Sequence, residues 1–399
     1  MKILVLNCGS SSVKYKLINI DDGKLIAQGS IERIGLEDAI FKYTAGKPVT
    51  EKKEIVSVKN HEEAIKLIIC SLIEGEHKVI SGLSEISAVG HRIVHGGEKF
   101  SKAVIIDDKV KKDIFEYFDL APLHNPHNYK GVEVSQQLLP GIPHVAVFDT
   151  AFHQTMPPES FFYAIPYYFY EKYGIRKYGF HGASHYYVAN RAAAIMKKEI
   201  EDLKIITCHL GNGASMAAIR DGKSVDTSMG FTPLEGLVMG TRCGDMDPAI
   251  LQYMMDVDEI TIMEVNTILN SQSGLFGLSG ISSDMRDVIK AAGEKNKRAQ
   301  LAIAVFVRRI KKYIGSYASV MNGLDVLVFT AGIGENNAYI RELCLTEMDY
   351  LGIAVDRQKN ESALGKESLI SSGKSRVSVY VIPTNEEMVI AQECKKLLA

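Results

Sequence analysis

An apolar strand, a small polar loop containing glycine, a second strand and an Asp-Gly turn occur in that order twice in this chain, half the sequence apart. At the start, Ile3-Leu4-Val5-Leu6 meets Asn7-Cys8-Gly9-Ser10-Ser11-Ser12. Val13, Tyr15 and Leu17 then alternate with Lys14, Lys16 and Ile18 as far as Asp21-Asp22-Gly23. Residues 203–222 repeat the order, with the loop His209-Leu210-Gly211-Asn212-Gly213, a strand from Ala214 to Arg220 and the turn Asp221-Gly222. Successive backbone N–H groups in such a loop form a concavity suited to an anion. In P-loop and dinucleotide folds the loop opens a helix. Here the period-two alternation predicts a strand, so each loop sits inside a hairpin. Two of them predict a duplicated fold with a cleft between the halves.

Strand-like and helix-like segments alternate throughout, which is the α/β pattern. Four further strands end in polar or glycine residues. Ile86 to Val89 leads into Gly90-His91-Arg92, with Gly96-Gly97 beyond. His144 to Phe148 leads into Asp149-Thr150. Leu324 to Phe329 leads into Ala331-Gly332-Ile333-Gly334-Glu335-Asn336, a third glycine loop expected to precede a helix over 339–348. Val377 to Ile382 leads into Pro383-Thr384-Asn385-Glu386-Glu387. In open α/β sheets ligands bind beyond the carboxyl ends of strands, so six strands deliver candidate residues to that edge. A long amphipathic helix is predicted over 299–321 and a C-terminal one from Thr384 to Leu398.

The chain's 399 residues suffice for two domains, each with its own core. A net charge of −2 without a basic run gives no case for nucleic acid or an anionic membrane. The six scattered cysteines contain no C-x-x-C pair, and the N-terminus has no signal-peptide pattern, so a cytoplasmic protein is expected.

Phosphate-type loops direct attention to charges near them. Ser10 and Ser12 can add hydroxyls and Lys14 a positive charge, while the Asn7 carbonyl suits Mg²⁺. Arg92 and Arg242 lie among glycines, where a planar fork for carboxylate or phosphate explains them better than packing. His91, His95, His124, His181, His185 and His209 fall in the same loops. Without an H-E-x-x-H glutamate or a cysteine partner, donation to phosphate suits them better than zinc. His91, His95 and His185 are read as structural. Asp149 suits orienting an arginine, holding a metal's water shell, acting as base, or capping a helix. Thr384-x-x-Glu387 matches a capping box, leaving Glu386 as the freer carboxylate for metal. There is no Ser–His–Asp or carboxylate-pair spacing, and the inventory matches phosphoryl transfer.

Asn7-Cys8-Gly9-Ser10-Ser11-Ser12-Val13-Lys14, Gly90-His91-Arg92, Tyr178-Gly179-Phe180-His181-Gly182, His209 to Gly213, Gly230-Phe231-Thr232-Pro233-Leu234-Glu235-Gly236 and Gly240-Thr241-Arg242 resemble the acetate kinase family, in order, over nearly the whole chain. The resemblance implies the duplicated two-domain ribonuclease H-like fold of acetate and sugar kinases, Hsp70 and actin. It also implies in-line phosphoryl transfer between ATP and acetate with Mg²⁺, for which Mn²⁺ can substitute. It implies metal residues Asn7 and Glu386, and catalytic residues Arg92, Asp149, His181 and Arg242. It further implies an acid pocket of Arg92, Val94, Leu123, His124, Phe180 and Pro233. The nucleotide contacts implied are Ser10, Ser12, Lys14, His209, Leu210, Gly211, Asn212, Gly213, Asp284, Met285, Arg286, Gly332, Ile333, Gly334, Glu335 and Asn336. The expected domains are 1–150 plus 386–399, on the acid side, and 151–385, which binds nucleotide and forms a homodimer. A propionate or short-chain acid kinase is the near alternative. An ATP-gated binding protein of the same fold is a remote one.

Overall fold

The computed structural model describes residues 1–46 and 50–399. The chain divides into two compact units, Met1–Ala151 with Asn385–Ala399, and Phe152–Thr384. Among the described residues, the first unit holds β1 (Lys2–Cys8), β2 (Ser12–Asn19), β3 (Lys24–Glu32), β4 (Ala39–Ala45), β5 (Thr50–Val56), β6 (Ile86–Ile93), β7 (Val104–Ile105) and β8 (His144–Phe148). They form one sheet in the order β5-β4-β3-β2-β1-β6-β8-β7. The second unit holds β9 (Lys204–Leu210), β10 (Ala214–Arg220), β11 (Lys223–Thr227), β12 (Val326–Thr330), β13 (Ser368–Leu369) and β14 (Ser378–Val381), in the order β11-β10-β9-β12-β14-β13. The order β3-β2-β1-β6-β8-β7 is matched strand for strand in the second sheet. In both, an antiparallel hairpin leads into two strands parallel to its first, closed by an antiparallel edge strand. The duplication predicted from two loops extends to whole sheets.

The central strands are buried on both faces, which is why they read as continuous apolar runs. Ile3 and Val5 pack with Val145, Val147, Ile390, Ala391 and Cys394. Leu4 and Leu6 point the other way, toward Ile65, Ile68, Leu72 and Val134. The first of these layers is the helix Glu386–Leu398, which follows β14 in sequence but belongs to the first unit. A Cβ on Gly90 would stand 2.4 Å from Ile390 Cγ2 and 2.9 Å from Cys394 Sγ, so only glycine lets this helix lie so close to β6. The helix Gly182–Met196 plays the same part in the second unit, where Val188, Ala189 and Ala192 pack on Ile205, Ala217 and Val326.

Three local readings are corrected. β6 runs on to Ile93, so His91 and Arg92 are strand residues and not part of a loop. The Ala331–Asn336 segment is itself a short helix, followed by a second over Ala338–Leu345. The C-terminal helix starts at Glu386 with Asn385 as its N-cap, whose side chain accepts from the Met388 N–H at 3.3 Å. The Thr384–Glu387 capping box is not formed. Asparagine is as good a cap as threonine, and Lys16 takes the Glu387 carboxylate at 2.9 Å. Among the described residues no helix is long and apolar enough to cross a membrane.

Candidate active site

In the first unit Asn7 is paired with Lys14 across β1 and β2, and Val5 with Lys16. Directly opposed residues share a sheet face, and Val5 lies under the Glu386–Leu398 helix. Asn7 and Lys14 are therefore one step further along that face, toward the helix N-terminus. The same step on β6 leads from Gly90 to Arg92, and on β8 from Val147 to Asp149. Arg92 donates from Nε to Asp149 Oδ1 at 2.8 Å and from Nη2 to Oδ2 at 2.6 Å, a bidentate pair. Its Nη1 is 3.9 Å from Glu386 Oε2. Burial opposes the charge on Arg92, but Asp149 and Glu386 outweigh it and raise its pKa. Burial pushes the Glu386 carboxyl above its ordinary value, helped by Asp149 and Glu387 and opposed by Arg92 and Lys14.

The side chains of Asn7, Ser10, Ser12 and Lys14 make no hydrogen bond to other described residues, and Glu386 accepts none. Among the described residues no group of three His, Cys, Asp or Glu side chains could hold a metal alone. The Asn7 side-chain carbonyl and the Glu386 carboxylate, which accept no hydrogen bond from other described residues, fit Mg²⁺, which keeps its waters and uses one or two carboxylates plus substrate phosphates.

In the second unit, Ser215 lies opposite His209 and Ala217 opposite Thr207. This face is covered by the Gly182–Met196 helix, so its N-terminal residues meet the strand ends. His181 occupies the N-cap position with φ +58°, a left-handed conformation that a non-glycine residue holds only when its surroundings enforce it. His181 Nδ1 is 2.9 Å from Ser215 Oγ, and its ring stacks on His209 at 4.2 Å. Ser184 Oγ lies 2.8 Å from His209 Nδ1 and receives the Thr384 hydroxyl at 2.8 Å. A Cβ on Gly213 would be 3.6 Å from both Arg242 Nη1 and His181 Cε1, so the arginine and the imidazole converge on the second hairpin loop. Arg242 donates to the Pro233 carbonyl at 3.3 Å but has no carboxylate partner among the described residues. Burial lowers its pKa. A guanidinium drawn partly out of water without a counter-charge is a standing cost that an anionic ligand relieves.

A cavity of about 550 Å³ in the second unit is lined by Gly211, Asn212, Asp284, Met285, Arg286, Gly332, Ile333 and Asn336, together with Ser283 and Asn337. The first eight are nucleotide candidates from the sequence. Of the others, His209 and Leu210 are buried below the loop. Gly334 packs toward Phe329 and the Cys208 carbonyl. Glu335 turns inward, accepting from the Ala331 N–H at 2.8 Å and the Thr384 N–H at 3.0 Å. A second cavity of about 600 Å³ in the second unit, lined by Ile289, Ile303, Val307 and Tyr339 among others, contains none of the candidates.

Of the acid-pocket candidates, Val94 (buried), Leu123 (65% exposed) and His124 belong to the first unit, and Phe180 (buried) and Pro233 to the second. His91 is buried against His144, and His95 and His185 are buried too. Sequence reasoning missed the supports. Asn128 accepts from the Val94 N–H at 3.0 Å and donates to the Cys8 carbonyl at 2.6 Å, spanning the ends of β6 and β1. Arg309 donates to the Gly236 and Asp245 carbonyls at 2.7 and 3.0 Å, bracing the segment that carries Arg242. Nothing local in the sequence marks such long-range partners.

Comparison with known proteins gives one consistent result. The Acetokinase family model matches residues 2–392. The acetate kinase of Thermoanaerobacterium thermosaccharolyticum is 55% identical over 400 residues, covering 100% of this chain and 99% of its own. That of Halothermothrix orenii is 54% identical, covering 100% of both. The crystal structure of Porphyromonas gingivalis acetate kinase superposes with a TM-score of 0.95 at 47% identity over 100% of both chains. A propionate kinase structure from Francisella tularensis superposes with a TM-score of 0.92 at 44% identity over 98% of both.

Proposed function

Because the chain belongs to the acetokinase family, we propose that it catalyses reversible transfer of the γ-phosphoryl group of ATP to acetate, giving acetyl phosphate and ADP. Its fold is the duplicated two-domain α/β fold of that family. An acetate oxygen attacks the γ-phosphorus in line as the bond to the β–γ bridging oxygen breaks, and the charge released stays on ADP. Asn7 and Glu386 would hold Mg²⁺, which when bound neutralises phosphate charge. Ser10, Ser12 and Lys14 bind phosphate. Arg92, oriented by Asp149, and Arg242 hold the acetate carboxylate and the phosphoryl group in flight, and His181 donates to the latter. Val94, Leu123, His124, Phe180 and Pro233 shape the acid pocket, and the cavity of the second unit takes the nucleotide. The observation that carries this reading is Arg242, without a counter-charge among the described residues, converging with His181 on a glycine loop.

The test is purified protein with ATP, Mg²⁺ and hydroxylamine, which traps acyl phosphate as hydroxamate, run with acetate, propionate, butyrate and no acid. The expected result is acetate-dependent hydroxamate, strongest with acetate. ATP hydrolysis without hydroxamate from any acid would defeat the reading and favour an ATP-gated binding protein. Propionate is the second reading, favoured by the likeness to the Francisella propionate kinase. One methylene in an apolar pocket discriminates by only about 1–3 kcal/mol.

A homodimer through the second unit is supported by exposed apolar side chains on two consecutive helices, Tyr253 and Val257 on Ala249–Asp258 and Ile262 and Met263 on Ile262–Ser271. The six free cysteines suit a cytoplasmic enzyme.

A further inference from the structure

We propose that Thr207, His185 and Ser215 are positioning residues that fix the proton of His181 on Nε2, so that this nitrogen donates to the phosphoryl group in transfer. The proposal rests on the role given to His181 above. The four side chains form one line of contacts. Thr207 Oγ1 lies 2.7 Å from His185 Nδ1, His185 Nε2 lies 2.8 Å from Ser215 Oγ, and Ser215 Oγ lies 2.9 Å from His181 Nδ1. Thr207, His185 and Ser215 are 0% exposed, so bulk solvent does not reach them.

Counting protons gives the line a direction. Burial holds His185 well below its ordinary pKa, so it is neutral and carries one N–H. Suppose His185 donated from Nδ1 to Thr207. The Thr207 hydroxyl proton would then have no acceptor, because the side chain of Thr207 bonds to no other described residue. Suppose instead that both histidines donated to Ser215. The Ser215 proton would then be the one stranded. A buried hydroxyl proton without an acceptor is costly, so both of these arrangements are disfavoured. One order uses every proton: Thr207 donates to His185 Nδ1, His185 Nε2–H donates to Ser215, and Ser215 donates to His181 Nδ1. His181 must then carry its own proton on Nε2. The hydrogen bond at one imidazole nitrogen sets the tautomer at the other. The ring is held in place by the His209 stack, with its Cε1–Nε2 edge toward the Gly213 loop and Arg242. A neutral donor aimed this way needs no change of protonation during transfer.

The full chain is assayed by hydroxamate trapping with Ser215→Ala, Thr207→Val, Thr207→Ser, His181→Gln and the double variant S215A/H181Q. A lost preorganised donor typically costs about 10²–10³ in rate, and partial loss of its orientation is expected to cost about tenfold. S215A should therefore lower kcat about tenfold with the KM values for ATP and acetate within about twofold. T207V should lower it less, and T207S should restore it. S215A should cost nothing further in the H181Q background. Nitrogen NMR of ¹⁵N-histidine-labelled protein should show His181 protonated on Nε2 and not on Nδ1, with the two forms mixed in S215A. A His181 protonated on Nδ1 in the unsubstituted protein overturns the proposal, as does an undiminished S215A effect on top of H181Q. If H181Q alone kept full kcat, the role of His181 in the proposed function would fall, and the NMR would still decide the relay. Should S215A not fold, T207V, close to Thr207 in shape, gives the same comparison.

Discussion

Arg92 and Arg242 are alike in sequence context and opposite in structure. Arg92 is bound on two nitrogens by Asp149, which is 3% exposed, whereas Arg242 has no carboxylate partner among the described residues. Arg242→Ala should thus lose about 10³-fold or more in kcat while thermal unfolding moves little, because no buried charge is stranded. Arg92→Ala strands Asp149 and should lose stability as well, by about 3–5 kcal/mol. Activity and melting measured on both variants check the contrast, and equal melting losses would refute it. Glu386 supplies a pH prediction. Its carboxyl is raised by burial, so the folded protein binds that proton more tightly than the unfolded chain. Its contribution to stability is full below the ordinary carboxylate value and is lost as pH rises through the raised one. Without Mg²⁺, Glu386→Gln should therefore lose less stability than the unsubstituted protein between a pH below the ordinary carboxylate value and neutral pH, while losing Mg²⁺-dependent turnover. Denaturant titrations at both pH values in chelator decide it, and a parallel pH dependence for both proteins would count against it.

At the scale of elements, a helix N-terminus over strand ends is used twice with different cargo. Glu386–Leu398 brings Glu386 to Arg92, beside Asp149, and Glu387 to Lys16. Gly182–Met196 brings His181, Ser184 and His185 to Thr207, His209 and Ser215. How close the C-terminal helix lies is set by the glycine beneath it on β6. Gly90→Ala should push the C-terminal helix off β6, costing about 1–3 kcal/mol and weakening Mg²⁺-dependent activity with it. Gly332→Ala is the opposite case. Its Cβ would meet nothing within 4 Å, and it lines the cavity proposed for the nucleotide, so the protein should melt normally with a raised KM for ATP and an unchanged KM for acetate. A lowered melting point with normal KM would show that the space was misjudged.

At the scale of the molecule, one sheet plan serves two sets of chemistry, and the second unit also carries exposed apolar helices. Size-exclusion with light scattering should give twice the 44.0 kDa chain mass, and Tyr253→Lys with Met263→Lys should shift it toward one chain. A single-chain mass for the unsubstituted protein would remove the dimer reading.

The α/β class, the hairpin setting of both glycine loops and the duplication were legible in the sequence, because strand alternation and turn residues are local properties of the chain. The motifs from Asn7 to Glu386 were equally legible, and they led to the family. The tertiary structure decided what depends on distant residues meeting. Asn385 rather than Thr384 caps the last helix, since Thr384 is drawn to Ser184 and Glu387 to Lys16. Glu335 faces backbone and not the cavity. Of two arginines set among glycines, one is neutralised and one is not. Ser215 and His185 gain their place beside His181 only when β9, β10 and the helix over them pack together. Hydrogen-bond partners separated by tens of residues follow from packing, which local sequence does not encode position by position.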